Sequence, residues 1–179
     1  MENKGGVWVG VKIAGFFTLL AVLVALGFYF FINPQAPLSP EPNPEERGVA
    51  VKLYYYNPAL DQGSGGAQCS RQGLVAVERT LPASDVLITD TIDLLLKGEI
   101  KSEERAEGVE SEYPLSGFFL VSSNLDREGN LTLTFSDPEN KTGGGSCRVG
   151  ILWLQIEATA KQFPEVKSVR FEPEELFQP

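Results

Sequence analysis

Residues 145–171 read GSCRVGILWLQIEATAKQFPEVKSVRF, and this stretch decides the fold. Val149, Leu152, Trp153, Ile156, Ala160 and Phe163 recur at helical spacing and fall on one face. Ser146 is placed to cap the helix, because a serine hydroxyl satisfies a free first-turn N–H. Pro164 cannot continue a helix and biases Phe163 away from helical angles. Val166 to Phe171 then alternates as a short strand, with Val169 and Phe171 on one side. A helix this apolar needs a sheet to lie on.

The preceding residues supply one. Val49, Val51, Leu53 and Tyr55 alternate with Ala50, Lys52, Tyr54 and Tyr56, which is the pattern of a half-buried strand. A loop with Pro58 and a GSGG run follows over Asn57–Gln68, then a second strand over Leu74–Leu81 with Val75 and Val77 on one face. Leu87, Ile88, Thr91, Ile92 and Leu95 share a helical face, capped by Ser84 or Thr89, and Gly98 sits where the helix should stop. SEERAEG (102–108) adds a surface turn. Phe119, Val121 and Leu125 alternate in a third strand. DREGN (126–130) is turn chemistry, and Leu131, Leu133 and Phe135 alternate in a fourth strand. The order β-β-α-β-β-α-β predicts an α+β domain, a mostly antiparallel sheet with two helices on one face.

Upstream, Ile13 to Ile32 is a twenty-residue apolar run, and no charge occurs between Lys12 and Glu41. A helix of that length spans about 30 Å, the thickness of a bilayer's hydrocarbon core. The run is longer than a signal-peptide core and no A-x-A site follows, so a retained single-pass anchor is expected over 13–32. Lys4 and Lys12 precede it, which puts residues 1–12 in the cytoplasm and everything after the anchor outside the cytoplasmic membrane. Residues 33–47, NPQAPLSPEPNPEER, hold five prolines and read as a tether between anchor and domain. Fully extended it reaches roughly 45 Å, either as a height-setting spacer or as a linker of no set length. The domain occupies 48–179.

The 179 residues carry a formal net charge of −9, which argues against nucleic acid as a partner. No histidine is present, so the commonest general base and metal ligand is missing. Asp90 and Asp93 share a helix face and read as solvated. Asp126, Glu128, Asp137 and Glu139 sit in turns that lack the calcium-loop spacing. Ser70 and Ser146 have no adjacent base. Gly143–Gly145 precede a helix but lack the Lys-Ser/Thr of a phosphate-binding loop. No catalytic residue, metal ligand or cofactor is expected, and the chain does not read as an enzyme.

Cys69 and Cys147 are the only cysteines, both beyond the anchor, and each follows a glycine-rich run. An oxidising compartment permits a disulfide between them, the alternative being two free thiols. On the last helix a second apolar stripe, Ile151, Leu154 and Ala158, lies about half a turn from the main face at 100° per residue. It is covered by the 84–97 helix or the 57–68 loop, or it is a partner surface.

Five pieces, in order, carry a family resemblance: VAVERTLP (75–82), DLLLKG (93–98), YPLSGFFL (113–120), DREGNLTLTFS (126–136) and LQIEATAKQFPEVKSVRF (154–171). With them the globular part resembles the sporulation and spore-germination (GerMN) domain family. The ending FEPEELFQP departs from the glycine-containing turn expected after the last strand. The resemblance implies a non-enzymatic domain at the cell periphery, similar in shape to ring-building domains that self-associate or dock. The expected function is a membrane-anchored module that binds a protein partner or itself in the bacterial envelope. The alternative is a module for a small ligand or a cell-wall fragment, which a concave pocket lined by Tyr54 and Tyr56 would favour.

Overall fold

A computed structural model describes residues 20–25, 28–29 and 48–178. The chain divides into two compact units, Met1–Pro44 and Glu45–Pro179. In the first, residues 20–25 and 28–29 are helical, and Leu20, Val22, Leu23, Val24, Phe28 and Tyr29 are exposed. Most of the span expected over 13–32 lies outside the described residues, as do all of the tail 1–12 and all of the tether 33–47. Among the described residues no helix is long and apolar enough to cross a membrane.

The second unit holds strands β1 (Val49–Tyr56), β2 (Gln62–Gly63), β3 (Gly66–Ala67) and β4 (Leu74–Leu81), then helices α1 (Leu87–Leu96) and α2 (Ser102–Ala106). Strands β5 (Phe119–Leu125) and β6 (Asn130–Ser136), helix α3 (Ser146–Ala160) and strand β7 (Ser168–Glu172) complete it. The expected order of main elements holds, with β2 and β3 forming a small extra hairpin in the 57–68 loop.

The single sheet does not hold. β1 pairs antiparallel with β4 alone, and β5-β6-β7 form a separate three-stranded sheet. The outer edge of β1 is already taken. Lys52 N–H donates to Gln162 Oε1 (2.7 Å), and Gln162 Nε2 donates back to the Lys52 carbonyl (2.6 Å). Tyr54 N–H donates to Thr159 Oγ1 (3.0 Å), and Tyr56 bridges to Glu110 through both backbone groups. With its polar groups satisfied by α3 and the segment after α2, β1 needs no further strand. β7 runs parallel to β6, in register from Asn130↔Ser168 to Thr134↔Glu172. The connection between them is α3, and a helix-length crossover is what a parallel pair requires.

Two expected caps move. Gly145, not Ser146, is the N-cap of α3, and Val86 is the N-cap of α1, neither with a side-chain bond. The Ser84 hydroxyl instead accepts from Val86 N–H (3.1 Å), and Thr89 pairs with the Ser123 hydroxyl (2.5 Å). α3 ends at Ala160, one turn before Phe163.

The core gathers Leu53, Tyr55, Ile92, Leu95, Leu131, Leu133, Leu152 and Ile156 between the two sheets and the two long helices. The unexpected ending belongs to it. Leu176 and Phe177 are buried, and Phe177 meets Phe171 edge-on at 5.2 Å. Phe177 adopts φ +57°, and its N–H donates to Thr142 Oγ1 (3.4 Å). The residues after β7 therefore close the core where a glycine turn was expected.

Candidate functional site

An open groove lies where the C-terminal half of α1 faces the start of β5. It encloses about 660 Å³. Its apolar floor includes Leu81, Leu94, Phe118 and Phe119, and Asp90, Asp93 and Lys97 line its rim. Local sequence builds it. Gly98 takes φ +64°, which turns the chain sharply after α1, and a Cβ there would overlap the Tyr113 carbonyl. That close approach brings Tyr113–Phe118 alongside the end of the helix.

β5 then departs from its expected alternation. The pairing with β6 slips between Leu120 and Ser122, leaving Val121 as the extra residue of a bulge. As a result Phe119 and Val121 both point outward, 54% and 59% exposed, while Leu120 and Leu125 are half-buried. Simple alternation places Phe119 and Val121 on one face with Leu125. Nothing in the alternation reveals the bulge.

Asp90 and Asp93 were expected to share a helix face, and they do. Neither carboxylate has an ion-pair or hydrogen-bond partner among the described residues. Burial raises the Asp93 carboxyl above its ordinary range, the neighbouring Asp90 charge adds to this, and Lys97 opposes it.

A second groove, about 450 Å³, lies beside Trp153 and is lined also by Phe171, Glu174 and Gln178. The Arg71 guanidinium sits 5.6 Å from the Trp153 ring centre and is ion-paired with Glu157.

The other sequence-selected residues are structural. Cys69 and Cys147 are disulfide-bonded with Cα atoms 5.2 Å apart, tying the loop after β3 to the first turn of α3. Leu154 is 7% exposed, and Ile151 and Ala158 are half-buried, so this stripe is covered rather than open. The cover comes about because α3 packs against both β1 and α1. Tyr54 and Tyr56 do not line a pocket together. Tyr56 is buried, and its hydroxyl donates to Asp61 Oδ2 (2.7 Å). Burial, reinforced by that carboxylate, pushes the Tyr56 hydroxyl to about 12. The same carboxylate accepts from the Ser70 hydroxyl (2.7 Å) and N–H (2.6 Å), so Ser70 is a loop anchor. Asp126 and Asp137 accept backbone N–H groups of their own turns. Among the described residues no three metal-ligating side chains gather.

A model of the family described as "Germane: Sporulation and spore germination" matches residues 52–175. Two solved structures from Bacillus subtilis are similar to the chain. One holds the tandem GerMN domains of the sporulation protein GerM, with 20% identity and TM-score 0.46 over 76% of this chain and 43% of that one. The other is the first GerMN domain of the same protein, with 19% identity and TM-score 0.47 over 72% of this chain and 86% of that one. This chain thus spans less than half of the tandem-domain chain. No curated protein matches.

Proposed function

The chain belongs to the sporulation and spore germination (GerMN) domain family, and from that premise we propose that it is a single-pass anchored module whose extracytoplasmic domain binds protein partners, or copies of itself, in the bacterial cell envelope. The observation that carries the reading is the open apolar pair Phe119 and Val121 beside a groove with uncommitted carboxylates on its rim. Exposed apolar side chains grouped beside a groove are the usual mark of a contact surface. The charge-free run 13–32 behind Lys4 and Lys12, with exposed apolar side chains on its described helical turns, supports the anchor.

A second reading, a module for a small ligand or a cell-wall fragment, is favoured by the groove beside Trp153, which joins aromatic and polar groups.

Topology is tested by cysteine accessibility. A membrane-impermeant thiol reagent applied to intact cells should label Ser39→Cys and spare Asn3→Cys. The reverse pattern would overturn the orientation.

A further inference from the structure

We propose that the seam between α1 and β5 is the docking face, and that its occupant is a cationic amphipathic segment of a different protein. The inference rests on the partner-binding reading and names the surface and the chemistry. Val86, Asp90, Asp93 and Lys97 are spaced four, three and four residues apart, so they form one stripe along α1. Phe119 lines one groove with Asp90, Asp93 and Lys97, and Val121 is exposed two residues further along β5. The seam has a cleft at each end, the 660 Å³ groove at Asp93 and Phe119 and one of about 440 Å³ at Val86, Ser123 and Leu125. Among the described residues from 48 onward, the large exposed apolar side chains are Leu60, Val86, Phe119 and Val121, and three of these four lie on the seam.

Charge identifies the occupant. Arg71, Arg79 and Arg148 are each held by an acid of the same domain, Glu157, Glu104 and Glu112. Asp90 and Asp93 have no such partner, so the uncommitted charge on the seam is mainly negative. Desolvation already disfavours the charged Asp93, and a lysine or arginine brought against it would reverse that penalty. A second copy fits poorly, since a chain of net charge −9 meets itself with like charges. A segment with apolar side chains flanked by Lys or Arg satisfies both the floor and the rim.

The test uses the full anchored chain in the cells that make it. A photoreactive benzoylphenylalanine is placed at Val121 and, for comparison, at Leu60, the exposed apolar position off the seam. The crosslinked peptide is mapped by mass spectrometry and then synthesised as the binding probe. The expected result is a Val121 crosslink to another protein, in a stretch with Lys or Arg beside apolar residues. Asp90→Lys with Asp93→Lys should weaken that peptide's binding about tenfold without lowering the melting temperature, and Glu174→Lys with Glu175→Lys should not weaken it. A Val121 crosslink to a second copy, a mapped stretch that is acidic or uncharged, or indifference to the Asp90/Asp93 reversal overturns the proposal. Crosslinking from Leu60 but not Val121 removes the seam and leaves partner binding standing. Absence of crosslinks at both positions, with no partner trapped by a general lysine crosslinker, removes both.

Discussion

Arg79 holds Glu104 with both terminal nitrogens, Nη1 to Oε1 at 2.6 Å and Nη2 to Oε2 at 2.7 Å. The pair joins β4 to α2 and is largely buried on both sides. Glu104 Oε2 also accepts the Lys101 N–H (2.8 Å), and Arg79 Nη2 also donates to the Glu99 carbonyl (2.8 Å). A five-residue helix cannot persist on its own hydrogen bonds, so this fork is what fixes it. Glu104→Ala should cost about 2–4 kcal/mol in urea unfolding, because it strands a largely buried guanidinium. Arg79→Ala should cost a similar amount.

The acid limb of stability follows from the same contacts. The Arg79 hydrogen bond holds the Glu104 carboxyl below its ordinary value, and the Ser70 and Asn130 hydrogen bonds do so for Asp61 and Asp126. An unfolded carboxylate titrates near 4, so their stabilisation is complete above about pH 5 and is lost as pH falls through the lower folded values. Asp93 has the opposite sign, since its raised carboxyl gains a proton more readily when folded. Thermal unfolding of the soluble domain between pH 3 and 7 should show a falling melting temperature on the acid side. Asp93→Asn should raise it near neutral pH.

The Cys69–Cys147 bond closes most of the domain into one covalent loop, a sequence separation of 78. Cys69→Ala with Cys147→Ala should lower stability by about 2–4 kcal/mol. Intact-mass analysis after alkylation of the unreduced protein should find neither cysteine alkylated.

Two substitutions separate core from surface. Leu154 is buried, so Leu154→Ala should cost about 2–5 kcal/mol and Leu154→Glu should unfold the domain. Phe119 is more than half exposed, so Phe119→Asp should leave the melting temperature nearly unchanged and reduce partner binding.

The positions of the strands and helices were legible because their apolar periods are unbroken: Val51-Leu53-Tyr55, Leu131-Leu133-Phe135, and Leu152-Ile156-Ala160. Gly98 and the cysteine pair were legible because few residues can do what they do. Pairing was less legible. That β1 closes its edge on Gln162 and Thr159 depends on contacts over a hundred residues away in sequence. The candidate site was hidden for a local reason. One bulged residue inverts the parity of β5, and alternation alone assigns Phe119 and Val121 inward. Leu176 and Phe177 gave no periodic signal, since they reach the core from a turn rather than a strand.

The most direct test of the central claim is the mass and composition of the full-length chain purified in mild detergent from its native membrane after brief amine crosslinking. The account predicts a discrete complex holding another protein, or further copies, in fixed ratio with this chain. A chain recovered only as a monomer, or as a monomer carrying a cell-wall fragment or other small ligand, would contradict it.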